Sequence, residues 1–358
     1  MKEINKAIKI FLLIILILPW NEVLAGNPQR AGQAGASELL INPWVRTSGW
    51  AGANVAGVTG LEGVYLNVAG LAFTKKTELI FSQTSWLQYG SKMFSADDAV
   101  SSISSFGISQ KVGESAVLAM SVMSMNFGDI EITTVDLPDG GIGTFSPRFM
   151  NLGFSYAQIF SNSIYGGATV KVISEQISNV SATGVALDAG IQYVTGPTDN
   201  LKFGISLKNV GPRMSFTGDG LSFRGIVGDG DDYKMTVEQR SSEFELPALL
   251  NMGVAYDINF NNHRLTGAGN FTSNSFQKDQ YRLGCEYSYR DIFMIRTGYT
   301  YEDGIRDPST RTTAVRGPSG GFTVELPMGN GTTFGLDYSY RHSDPFQGSH
   351  SIGARINL

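Results

Sequence analysis

The chain has 358 residues, with 27 Lys and Arg against 32 Asp and Glu and a formal net charge of −5, so nothing suggests the basic surface of a nucleic-acid binder. Only 16% of residues are charged although the mean hydropathy is −0.04, and 43 Gly accompany 21 Phe, 14 Tyr and 4 Trp. A large soluble β-protein normally carries more charge, and a single cysteine, Cys285, excludes an intrachain disulfide framework.

Residues 1–25 read as a secretory signal. Lys2, Lys6 and Lys9 precede an apolar core from Ile10 to Leu18, and Val23, Leu24 and Ala25 form an A-x-A-like cleavage site. The exported chain then begins near Gly26 with a net charge of −6. Residues 26–74 follow with Pro28, Pro43, many Gly and Ala and no sustained apolar period, which suits either a mobile periplasmic tail or a plug inside a lumen. No later stretch holds the run of apolar residues, about 18, that a transmembrane helix requires.

From residue 75 onward the pattern is that of strands. It is clearest at 281–301, where Tyr281, Leu283, Cys285, Tyr287 and Tyr289 share one face against Arg282, Gly284, Glu286 and Ser288. After Arg290, Asp291 and Ile292 the alternation resumes with Phe293, Ile295, Tyr299 and Tyr301. Strands of about nine residues ending in aromatics match a tilted bilayer crossing. With this hairpin as template, candidate strands fall at 77–89, 101–111, 116–127, 149–159, 164–176, 182–193, 201–210, 248–258, 263–272, 281–289, 293–301, 320–327, 332–341 and 350–357, fourteen in all. The alternation is weak across 101–127. An even count and the separation of short from long connections predict an all-β, transmembrane antiparallel barrel in the outer membrane, contacting its lipids. Only the short connection 177–181 breaks that separation. Both ends of the exported chain and the turn at 290–292 are expected on the periplasmic side.

Leu39, Leu40, Ile41, Asn42, Pro43, Trp44, Val45 and Arg46, followed by Gly49, Gly52, Ala53 and the run from Asn67 to Phe73, resemble the N-terminal region of PorV/PorQ-type proteins, within the wider FadL-like barrels. The likeness continues through Lys208 to Pro212 and through Glu245 to Ala248. It departs where Val68 stands in place of the family's proline and where the chain ends in Leu358 instead of an aromatic. The resemblance implies a fourteen-strand FadL-like barrel over 75–358 with a hatch over 26–74, to which Leu39, Ile41, Pro43, Arg46 and Asn67 belong. It also implies a role in the type IX protein secretion system of Bacteroidetes-like bacteria, with a large translocon barrel and secreted proteins bearing a C-terminal signal domain as partners.

Two function classes remain open. A secretion partner needs outer loops that recognise protein, and the loop 211–247 carries Phe216, Phe223, Ile226, Tyr233, Met235 and Phe244; the same residues also suit a loop folded over its own barrel mouth. A FadL-like channel for small hydrophobic compounds needs an apolar lumen pocket, to which Met120, Met123, Met125 and Ile173 are candidates, although they suit the barrel exterior equally. The chain reads as a non-enzyme with no cofactor. His263, His342 and His350 form no HExxH pair. Gly317 to Gly321 spells GxSxG, but a nucleophile elbow needs a strand before Ser319 and a helix after it, whereas a loop is expected before and a strand after. Asp219, Asp229, Asp231 and Asp232 offer oxygen ligands for Ca²⁺ without EF-hand spacing, or form an acidic solvated turn.

Overall fold

The computed structural model describes residues 26–86, 101–226, 234–344 and 346–358. The signal segment, the end of the first candidate strand, Tyr233, Asp229, Asp231 and Asp232 lie outside the described residues. The chain forms a closed fourteen-strand antiparallel barrel: β1 (Thr77–Ser85), β2 (Ser102–Val112), β3 (Ala116–Asn126), β4 (Arg148–Ile159), β5 (Ile164–Ile177), β6 (Val180–Thr195), β7 (Leu201–Val210), β8 (Leu249–Phe260), β9 (His263–Asn274), β10 (Gln280–Tyr289), β11 (Phe293–Glu302), β12 (Val315–Gly329), β13 (Thr332–Ser343) and β14 (Ser349–Asn357). Each strand pairs with its sequence neighbours, and β1 closes on β14 from Glu78 opposite Asn357 to Ser85 opposite His350. All fourteen sequence-predicted segments coincide with strands over their described residues. The largest change is β12, which starts at Val315 and so takes in the GxSxG string.

The period of two places opposite chemistry on the two faces, and the polarity is inside out. Leu283 and Ile191 are 67% and 57% exposed on the outer surface, while Glu286 and Arg296 are buried on the inner one. Outward residues of neighbouring strands, such as Phe81, Phe106 and Phe154, continue this apolar belt. Water would not tolerate so large a contiguous apolar surface, whereas lipid requires it and demands a closed sheet without edges. The barrel therefore lies in the outer membrane. Cys285 is on the lipid-facing side.

Turns and loops segregate by end. At one end, β10 and β11 are joined through Arg290 and Asp291 at φ 54° and 52°, the backbone of a tight hairpin turn, and β8 and β9 through Asn261 at φ 54°. The other end carries the connections 127–147, 211–248 and 303–314 together with the short β5–β6 turn at 178–179. By the rule for bacterial barrels, the short-turn end is periplasmic. Leu358 is there, its N–H donating to the Thr77 carbonyl (2.9 Å). Gly26 is not: its N–H donates to Asp279 (2.8 Å) and the N–H of Asn27 to the Asn274 carbonyl, both at the outer end. The expectation that both ends of the exported chain sit on the periplasmic side fails for Gly26, because residues 26–76 first run through the lumen from the outer mouth before β1 begins.

Candidate functional site

The lumen is crossed by this N-terminal segment, which contains short helical turns at Ser37–Leu40, Val45–Gly49, Gly63–Leu66 and Val68–Phe73. Turns this short leave many backbone carbonyls unpaired, and a buried carbonyl needs a donor. The wall supplies them from around the circumference. Ser82 donates to Pro43 O (2.8 Å), Gln192 to Val58 O (2.9 Å), Ser206 to Leu66 O (2.8 Å), Ser319 to Gly49 O (3.0 Å) and Arg341 to Asn42 O (3.1 Å). In return Glu78 accepts the Leu61 N–H (2.8 Å). Within the segment, Glu62 accepts the N–H groups of Arg46 and Thr47 at the start of the Val45 turn, where the helix dipole favours an anion. Asn67 does most: its Oδ1 accepts the Ala69 N–H (3.2 Å), and its Nδ2 donates to Val55 O (3.1 Å) and to Ile191 O on β6 (3.0 Å). Asn67 thus caps the Val68 turn.

Where the backbone of the segment meets the wall, the wall residue is glycine. A Cβ built on Gly204 would lie 2.7 Å from Ala56 Cα and 2.8 Å from Val55 O, and one on Gly190 or Gly298 would meet Asn67 or the Trp50 carbonyl. These glycines permit close approach of two backbones.

The charged groups of the lumen fall into two sets. Between β10 and β14 acids and bases are matched: Arg296 with Glu286 (2.8 Å) and Arg355 with Glu325 (2.7 Å), while Thr323 links Arg296 to Asp337. Near β5–β7, Lys171 pairs with Asp188, helped by a bulge at Asn209 (φ 59°), whose N–H donates to Asp188 (2.8 Å). The same bulge turns Asn209 inward beside Lys208, which follows the alternation of Gly204 and Ser206. On the outer side of the segment a chamber of about 110 Å³ is lined by Lys208, Arg282, Arg341, Asn251, Gln280 and Tyr65 among others. A second cavity, about 50 Å³, lies against β3–β5 and is mostly apolar, with Leu39, Ile41, Pro43, Trp44, Val64 and Met123 on its walls. Glu38 borders it and is buried opposite Glu175. Burial first, and then the Glu175 carboxylate, push the Glu38 carboxyl up to about 8.

The segment residues singled out from sequence come together here. Leu39, Ile41 and Pro43 line the apolar cavity, Asn67 pins the segment to β6, and Arg46 is half-buried beside Glu62. The loop residues separate. Phe216 and Phe244 stack (5.5 Å between ring centroids) over Met214, Leu246, Leu39 and Ile173, so they close the barrel mouth. Phe223 and Met235 are exposed on a hairpin formed by Ser222–Ile226 and Lys234–Glu238. Met123, Met125 and Ile173 face inward, whereas Met120 faces lipid. Ser319 has a strand before it and its hydroxyl is spent on the Gly49 carbonyl, and the three histidines pair with Tyr287, Tyr340 and Tyr338. Sequence reasoning missed the chamber cations Lys208, Arg282 and Arg341. Their signal was present as basic residues on the lumen face of apolar-outside strands.

Fold and lumen together define an outer-membrane β-barrel whose interior is occupied by its own N-terminal segment. No protein-family model matches the chain, and no curated protein matches its sequence. Among solved structures it is similar to the Pseudomonas putida toluene transporter TodX (13% identity, 88% of this chain and 97% of that one, TM-score 0.54) and to the CymD monoaromatic hydrocarbon channel (12% identity, 88% and 96%, TM-score 0.52). A Pseudomonas aeruginosa FadL homologue aligns with a TM-score of 0.48 at 12% identity over 87% of this chain and 96% of that one. At these identities the likeness to TodX and CymD shows the barrel fold alone.

Proposed function

We propose that the chain is a gated outer-membrane channel for small hydrophobic compounds, with the N-terminal segment as its gate. The observation that carries this reading is the mostly apolar cavity between the segment and β3–β5, lined by Leu39, Trp44 and Val64 of the segment and by Met123 of the wall. Its walls include Met123, whose unbranched side chain moves readily to admit a guest. The segment is held by individual hydrogen bonds from the wall, each worth about 1 kcal/mol net, and so can rearrange without unfolding the barrel. The kinship in fold with a toluene transporter and a monoaromatic hydrocarbon channel agrees with it. The test is a titration with toluene of the purified protein carrying Trp50→Phe and Trp86→Phe, read by Trp44 emission. Saturable binding in the parent that Met123→Glu removes supports the channel; no saturable change in the parent overturns it.

A second reading has its own observation. Phe223, Ile226 and Met235 are exposed on a hairpin of the outer loop, where a protein partner could bury them. With the PorV-like N-terminal residues, this supports docking to a secretion translocon or to its cargo. Deleting 220–237 and comparing what co-purifies separates the two: loss of a large barrel partner with intact assembly supports secretion, whereas an unchanged set of partners removes it.

A further inference from the structure

The outer chamber differs from the rest of the lumen in its charge. Elsewhere buried cations face carboxylates, as Arg296 faces Glu286 and Arg355 faces Glu325. Lys208, Arg282 and Arg341 line one cavity, and among the described residues no carboxylate lies within ion-pair distance of any of them. Lys208 is only 3% exposed, and its ammonium rests 3.4 Å from the centroid of the Tyr65 ring. Arg341, 6% exposed, spends one N–H on Asn42 O and stands 5.2 Å from the Trp86 ring. Arg282 spends one on Gln280 Oε1 (2.7 Å). The Nε–H groups of both arginines are buried without an acceptor.

Two neighbouring carboxylates are engaged elsewhere. Asp188 is held by Lys171 and the Asn209 N–H, and Glu302 accepts from Gln280 and Thr312. Three cations gathered around one cavity repel one another, and Lys208 and Arg341 have lost most of their hydration and Arg282 part of it, a cost that a fold does not carry without a compensating group. The remaining lining is mixed: Asn251, Asn274 and Gln277 are polar, whereas Leu40, Leu66, Trp86 and Leu249 are apolar.

We propose that this chamber binds a compact oxyanion, a carboxylate or phosphate, through Lys208, Arg282 and Arg341. Two guanidinium forks and an ammonium suit the several acceptor oxygens of such a group. A volume of about 110 Å³ fits a small solute and not a bulky one. The inference goes beyond the channel reading, since the site is cationic, lies on the outer side of the segment, and would bind its anion whether or not a hydrophobic compound passes.

The experiment is calorimetric titration of the full chain in detergent with inorganic phosphate, sulfate and malonate at constant ionic strength, with chloride as reference. The parent is expected to bind at least one of the three saturably at millimolar concentration or below, and to melt at a higher temperature in its presence than in chloride. Lys208→Met and Arg282→Gln are each expected to weaken binding by about tenfold or more. Without anion, Lys208→Met melts no lower than the parent, because removing an unpaired buried charge relieves the fold. Absence of saturable binding and of thermal shift for all three anions in the parent overturns the proposal, whatever the variants do. Binding that is undiminished in both variants overturns it as well.

Discussion

Gly204→Ala tests the contact between wall and segment at a single carbon atom. The new Cβ would lie 2.7 Å from Ala56 Cα and 2.8 Å from Val55 O, both backbone, so no side-chain rotation relieves it. Overpacking of this kind costs about 1–3 kcal/mol. The strand's own ladder is unaffected, so the cost falls on docking of the segment. A matched control is Gly267→Ala, on the lipid-facing side of β9, where a Cβ meets nothing within 4 Å. The assay is hydrogen exchange at the amides of Val58, Gly60 and Asn67, which are bonded to Asn54 O, Gly70 O and Gly63 O within the segment. If local opening controls exchange, Gly204→Ala speeds these amides about 5- to 150-fold while strand amides stay protected. Gly267→Ala leaves them as in the parent. Equal protection in both variants would refute the reasoning, as would equal loosening.

Three further outcomes are expected. Asn67→Ala removes a cap and leaves the Val55 and Ile191 carbonyls without its amide, so the segment should lose about 2–4 kcal/mol of docking free energy, read as faster proteolysis within 52–70 of a barrel that still shows heat-modifiable migration. The Glu38 carboxyl, raised from an ordinary 4.5 to about 8, binds a proton in the docked state that it lacks when released, so docking near Ala36 is strongest at low pH and weakens as pH rises from about 4.5 through 8; a spin label at Ser37 should gain mobility over that window in the parent and not in Glu38→Gln. Glu286→Ala leaves Arg296 buried and unpaired, which should lower barrel stability by about 3–5 kcal/mol in a urea-dependent gel shift, with much of the loss recovered on adding Arg296→Met.

The barrel was legible because its strands meet lipid on one face and a polar lumen on the other, so residues such as Leu283 and Glu286 alternate without ambiguity. The region 101–127 read poorly for a physical reason. Ile103, Val117, Met123 and Met125 face inward yet are apolar, since they pack around Trp86 or the N-terminal segment, and so both faces look alike. The segment's residues could be named from sequence but its direction could not: it is fixed by separate bonds from Ser82, Gln192, Ser206 and Ser319 to carbonyls, and such bonds leave no period. The same holds for the bulge at Asn209, which alone explains why Asn209 turns into the lumen beside Lys208. Of the outer loop, the burial of Phe216 and Phe244 depends on Leu39 and Ile173, both distant in sequence.

The central claim is that this outer-membrane barrel is closed by its own N-terminal segment, and conductance in planar bilayers tests it most directly. The intact protein is expected to show no large steady pore, and a chain lacking residues 35–63, verified as an assembled barrel, to show a steady conductance. A large ohmic pore in the intact protein, or an assembled deletion variant that stays closed, would contradict the claim.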